Sequence, residues 1–203
     1  VWQSVSASSV RPIVAVIEGW DAAGKGTMIN QLTLALDARG FTVHPISAPS
    51  EAERLRPFLW RFWVRMPPNG RIGIFDRSWY GRVLVERVDK LVPKKIWQRA
   101  FEEIRSFERQ LVDSGAIIVK FFLHISPKVQ RERFRKLEKN PVTAWKVTRE
   151  DWRHHRLYNK QLRIVEEMLV ETDTDFAPWT IVEAHDRRFA TVKVFKTLAD
   201  AVE

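Results

Sequence analysis

The 203-residue sequence contains no cysteine. That excludes disulfides, thiolate zinc sites and cysteine nucleophiles, and it fits a reducing compartment such as the cytoplasm. No apolar run approaches the length of a membrane span, so no membrane partner is expected. No charged-then-apolar leader opens the chain. Its first residue is Val1 and not Met, which points to a piece trimmed from something longer. There is no repeat, low-complexity tract or obvious linker, so a single domain over residues 1–203 is expected. Nor does the composition suit disorder: 45% of residues are hydrophobic, with 9 Trp and 12 Phe.

Acidic residues are in short supply. The 25 Asp and Glu face 34 Lys and Arg, leaving a net charge of +9. Such a surface suits a polyanionic partner rich in phosphate. The excess is concentrated. Between Arg54 and Arg87 eight arginines face two acids, Asp76 and Glu86. A second cluster comprises Lys128, Arg131, Arg133, Arg135, Lys136 and Lys139. The guanidinium fork matches phosphate oxygens, whereas a solvated face would tolerate lysine equally well.

Strand and helix patterns alternate. Residues 13–17, Ile-Val-Ala-Val-Ile, read as a strand buried on both faces. A helix is expected over 26–38, closed by Gly40. Strands follow at 41–46 and 72–75, with one helix over 50–63 between them. A helix opening at Pro93 runs to Asp113, and a strand spans 116–125. Ser126-Pro127 caps a helix that Asn140-Pro141 ends. Thr148-x-x-Asp151 resembles a capping box for a helix to about residue 171. A last strand at 179–183 and a helix from about 189 complete the pattern. This order implies an α/β fold: a parallel sheet of about five strands flanked by helices.

The chemistry lies in Gly19-Trp20-Asp21-Ala22-Ala23-Gly24-Lys25-Gly26-Thr27, between the first strand and first helix. It matches G-x-x-x-x-G-K, the Walker A phosphate-binding pattern. Glycines let several N–H groups point inward, the helix N-terminus adds positive potential, and Lys25 reaches a phosphate. The usual hydroxyl directly after Lys is displaced by Gly26 to Thr27, and Asp21 stands ready to replace it as a magnesium partner. The third strand ends at Asp76, where a second metal-organising carboxylate is expected, with Arg77 beside it. A mobile Arg-bearing helical lid, about residues 128–150, is expected to close over the transferred phosphate. His124 reads as a satisfied structural residue, and His154-His155 as surface. Most of the Trp and Phe residues read as core.

These strings add up to a family. The 19–27 loop and the block Phe75-Asp76-Arg77-Ser78-Trp79-Tyr80-Gly81-Arg82-Val83-Leu84-Val85-Glu86-Arg87-Val88 resemble the type 2 polyphosphate kinases. So do residues 120–126, Gln130-Arg131-Glu132-Arg133-Phe134, Trp145-Lys146, Glu150-Asp151-Trp152 and Ala177-Pro178-Trp179. The resemblance implies a thymidylate-kinase-like P-loop fold. It also implies transfer of a terminal phosphoryl group between inorganic polyphosphate and a nucleotide, with Mg2+ or Mn2+. Gly81 resembles the branch that converts AMP to ADP, whose members are often tandem. Two departures stand out: Val88-Asp89-Lys90-Leu91 replaces the usual continuation, and the segment before the first strand is short.

Carried over residue by residue, Lys25 would hold the transferred phosphoryl, and Asp21 and Asp76 would organise metal. Arg77 and Arg133 would neutralise charge, Arg133 from the lid. Arg77, Tyr80, Arg82 and Glu86 are candidates for the nucleotide acceptor. Lys25, Arg131, Arg133 and Lys146 are candidates for a polyphosphate track, which accounts for the charge with no nucleic acid partner. A homo-oligomer is expected. The competing readings are phosphorylation of nucleoside diphosphates by polyphosphate, an ATP-dependent nucleoside monophosphate kinase, and a non-enzymatic polyanion-binding domain.

Overall fold

The computed structural model describes residues 11–203. The short segment before the first strand lies outside the described residues. Five strands form one sheet: β1 (Ile13–Gly19), β2 (Phe41–Pro45), β3 (Ile72–Asp76), β4 (Ile117–His124) and β5 (Trp179–Glu183). All four pairings are parallel, in the order β2-β3-β1-β4-β5. β1 is central, and Ile13 through Glu18 are all buried. This is what a continuous β-branched run achieves when helices cover both faces.

The helices are α1 (Lys25–Ala35), α2 (Glu51–Arg54), α3 (Trp60–Trp63), α4 (Val85–Val88), α5 (Lys94–Asp113), α6 (Pro127–Lys139), α7 (Arg149–Arg156), α8 (Tyr158–Thr172) and α9 (Arg187–Asp200). Short 3-10 turns occupy Trp79–Arg82 and Ala144–Lys146. α5 buries Ala100, Phe101, Ile104, Phe107 and Leu111, the stripe that a 3.6-residue period predicts. The Ser126 hydroxyl accepts from the Val129 amide, and Thr148 and Asp151 form a complete capping box.

Two expected helices are divided. The single helix expected over 50–63 is two short ones, because Pro57 has no N–H and its ring collides with the preceding turn. The helix expected from 148 to 171 is interrupted at Leu157. There Tyr158 turns inward to stack on Trp20, ring centroids 4.2 Å apart, and donates to the Ile125 carbonyl at 2.7 Å.

The connections leave β1 toward β2 and β4 toward β5, in opposite directions. A crevice therefore opens at the carboxyl ends of these neighbours, the usual ligand position in open parallel sheets. Among the described residues no helix is long and apolar enough to cross a membrane.

Candidate active site

The loop at residues 19–27 stands at that crevice. Gly19 has φ 140°, and a Cβ there would lie 2.4 Å from the Leu123 carbonyl oxygen, so only glycine fits. The next residue, Trp20, is anchored: its amide donates to Leu123 O at 3.2 Å and its indole N–H to His124 Nδ1 at 3.2 Å. His124 is thus a satisfied structural residue, as the sequence suggests. Ala22 (φ 59°) and Gly24 (φ 107°) turn the chain left-handed before α1 begins at Lys25. The first-turn amides of α1 have no partner within the helix, and the helix dipole adds positive potential there. Lys25 Nζ donates to Gly19 O at 2.7 Å and Trp20 O at 3.1 Å, and lies 3.9 Å from Asp21 Oδ1. Thr27 and Gly26 are exposed.

β3 delivers the other half. Its register sets Asp76 beside Ile17 of β1, so the two strand ends are level. Arg77, at φ 64°, holds a conformation uncommon for a non-glycine residue, and strain of that kind collects at functional sites. Its amide is pinned to Ile17 O at 3.1 Å, while its half-exposed guanidinium donates to Asp21 Oδ1 at 3.2 Å. Burial pushes the Asp21 carboxyl up, but His154, Lys25 and Arg77 together outweigh it and hold Asp21 well below the usual carboxylate range. Asp76 has no cation within 4 Å among the described residues. Its oxygens and those of Asp21 are the hard donors that Mg2+ or Mn2+ prefers.

Behind them Glu18 is buried, and burial pushes its carboxyl up. It accepts from the Ser78 hydroxyl at 2.8 Å, and that hydroxyl accepts in turn from the Tyr80 amide. This tie between β1 and the segment after β3 has no signature in the sequence.

Three expectations need correction. Tyr80 is fully buried, and its hydroxyl donates to Glu108 Oε1 at 2.6 Å and accepts from Lys120 Nζ at 3.0 Å. It is a core residue and does not face an acceptor. Arg133 does not stand free on a lid but is bonded to the loop itself. Its guanidinium donates to the carbonyls of Ala22, Ala23, Ala184 and His185, which uses all four Nη hydrogens. The His154-His155 pair is not surface. His154 Nδ1 lies 3.7 Å from Asp21 Oδ2 and its Nε2 lies 3.3 Å from Asp89 Oδ1, while His155 is buried. The sequence of α7 shows two adjacent imidazoles on a basic helix. It does not show that the loop folds against them.

The remaining candidates are scattered. Arg82 pairs with Glu86 at 3.0 Å and lies over the Phe58 ring. Arg131 is exposed, and so is Lys146, which lies over Trp145. Six of the eight clustered arginines meet an acid or a ring: Arg56, Arg61, Arg65, Arg77, Arg82 and Arg87. Most of that cluster therefore serves packing and ion pairing. Asp89, Glu150 and His154 bring ligand atoms within 4.8 Å of one another, but the Arg153 guanidinium already bonds both carboxylates, at 2.7 and 2.8 Å.

The chain resembles known proteins over nearly its whole length. The chain is 50% identical over 191 residues to a protein of Pseudomonas aeruginosa named Polyphosphate:AMP phosphotransferase, covering 94% of this chain and 38% of that one. It is 36% identical over 191 residues to the AMP/ADP-polyphosphate phosphotransferase of Meiothermus ruber, covering 94% of this chain and 72% of that one. The crystal structure of Polyphosphate Kinase 2 from Arthrobacter aurescens TC1 superposes with a TM-score of 0.93 at 29% identity, covering 99% of this chain and 71% of that one. The chain thus spans about two fifths of the first of these relatives. The family described as Polyphosphate kinase 2 (PPK2) matches residues 1–203, and the chain belongs to that family.

Proposed function

We propose that this chain transfers the terminal phosphoryl group of inorganic polyphosphate to AMP, forming ADP. The observation that carries the reading is the meeting of Lys25, Asp21 and Arg77 at the level ends of β1 and β3, beside Asp76. The name of the Pseudomonas relative supports polyphosphate as donor and AMP as acceptor.

Phosphoryl transfer demands positioning and charge neutralisation more than covalent help. An acceptor phosphate oxygen attacks the terminal phosphorus. The bond to the bridging oxygen breaks, and the shortened polyphosphate leaves with the electron pair. Lys25 and the first-turn amides of α1 hold the transferred group, and Arg77 offsets charge on both substrates. Asp21 and Asp76 would hold Mg2+, with Mn2+ as substitute, which would supply charge neutralisation at the phosphate oxygens. Exposed Arg131 and Lys146 would lead the polyanion toward Lys25 by counterion release. Arg82 and Glu86 remain acceptor candidates as a pair. We place the protein in the cytoplasm as a homo-oligomer.

The test is the purified chain with Mg2+, long-chain polyphosphate, and AMP or ADP separately, with no ATP present. ADP formed from AMP supports the reading. Turnover of ADP alone moves the chain to the diphosphate-acting branch. Transfer only when ATP is added makes it an ordinary nucleotide kinase. Tight polyphosphate binding without turnover makes it a binding domain.

A further inference from the structure

Helix α6 grips the 19–27 loop from behind. Gln130 Nε2 donates to Asp21 O at 3.1 Å. One turn further along, Arg133 Nη1 donates to Ala22 O at 3.0 Å and Ala23 O at 2.9 Å. Three consecutive loop carbonyls are thereby captured from one side. A trans peptide is planar, so its carbonyl and the following N–H point in opposite directions. Holding the carbonyls of Asp21, Ala22 and Ala23 fixes the amides of Ala22, Ala23 and Gly24 on the side away from α6. The Ala23 amide is spent on Trp20 O at 3.0 Å. Those of Ala22 and Gly24 are left aimed away from the helix.

The grip is itself held. Gln130 and His155 are both buried. His155 Nδ1 lies 2.7 Å from Gln130 Oε1, and Arg131 Nε donates to His155 Nε2 at 3.4 Å. The donors and acceptors can be matched in one way only. Arg131 has no acceptor to offer, so Nε2 accepts and the proton sits on Nδ1. The Gln130 oxygen then faces His155, and its nitrogen faces the loop. Burial, then Arg131, pushes the His155 imidazole toward its neutral form, which this arrangement requires. The His155 ring packs edge-on against Phe134 of α6 and Trp152 of α7, with centroids 6.1 and 5.6 Å away. Arg133 also donates to Ala184 O and His185 O, anchoring the loop to the segment after β5.

We infer that Gln130 and Arg133 are positioning residues that preorganise the loop's amides for phosphate, with His155 setting the direction of the Gln130 amide. The catalytic part of this rests on the phosphoryl-transfer reading; the loop-holding part does not. Preorganised donors act most strongly on charge that develops in the transition state, so their loss falls on kcat.

The test pairs substrate-free hydrogen exchange of the loop with steady-state kinetics. In Gln130→Leu, amide exchange across residues 21–26 should rise about tenfold or more, with exchange of the sheet unchanged. In the same variant kcat should fall about tenfold or more, with KM for AMP near wild type. His155→Leu should behave alike. His155→Asn, whose side-chain amide can still donate to Gln130, should recover most of both losses. If Gln130→Leu fails to fold, Arg133→Lys at a half-buried position decides by the same two readouts. Wild-type loop exchange and kcat in a folded variant overturn the inference, as does faster exchange spread over the whole sheet. A wild-type protein without transfer activity overturns the functional reading, while the exchange experiment still decides whether α6 holds the loop.

Discussion

Asp21 and Arg77 stand 56 positions apart in the chain and 3.2 Å apart in the fold. Their meeting follows from register. β1 and β3 run parallel with Ile17 level with Asp76, so the loop leaving one strand and the turn leaving the other share a single crevice. Four outcomes follow from this geometry and from the core that supports it.

Lys25→Ala and Asp76→Ala should each lower polyphosphate-to-AMP transfer by about 100-fold or more. Neither should move the melting temperature by more than a few degrees, because neither side chain belongs to the apolar core. Lys25 bonds two loop carbonyls and pairs with Asp21 at 3.9 Å, all within its own loop, and Asp76 lies at a strand end. Near-wild-type turnover in either folded variant would remove that residue from the site.

Gly19→Ala should destabilise the protein by well over 1 kcal/mol, since strained φ and a collision with strand β4 act together. Gly26→Ala should be neutral or slightly stabilising, because a Cβ there meets nothing within 4 Å. Denaturant titration of the two variants side by side checks the contrast.

Glu108 and Lys120 form an ion pair at 2.8 Å with neither side chain exposed. Lys120 also donates to the Tyr80 hydroxyl and to Thr172 O, so its charge is fully bonded. Glu108→Ala strands that charge and should cost about 3–5 kcal/mol. Replacing both residues, as Glu108→Leu with Lys120→Met, should recover much of the loss. A double variant no more stable than Glu108→Ala would contradict this account.

His124 accepts the Trp20 indole hydrogen through Nδ1, which requires that nitrogen to be unprotonated. Burial is the main force lowering its pKa, and His185 adds to it. Below the ordinary histidine pKa near 6.5 the unfolded chain binds a proton that the folded chain refuses, so stability falls as pH drops. The loss ends only below the depressed folded value. Melting curves from pH 7.5 to 5.5 should show a steeper decline in wild type than in His124→Asn. Equal slopes would exclude a protonation difference at this ring.

The signals legible in sequence were local ones. Ser126 before Pro127 and Thr148 before Asp151 each specify a helix start through atoms within three residues, and both caps form as written. Pro57 carried an equally local signal to break the helix between α2 and α3. The apolar run at 13–17 outweighed every alternative for β1 because a strand covered on both faces admits little else. Tyr80 misleads for the opposite reason. It lies in a block rich in site residues, yet its side chain points into the core, and only the packing of α5 against the sheet supplies Glu108 to bond it.

The sequence by itself determined the α/β order, the glycine-bearing loop ending in Lys25, and an acid at the end of β3. These depend on periodicity, backbone permissiveness and spacing along the chain. Only the tertiary structure decided that Arg133 spends its guanidinium on loop carbonyls, that His154 reaches Asp21, and that His155 orients Gln130. Those contacts join residues more than 20 positions apart through hydrogen bonds and a polar contact of 3.7 Å, each short-ranged. A donor in the sequence carries no record of which distant acceptor the fold will place within 3 Å of it.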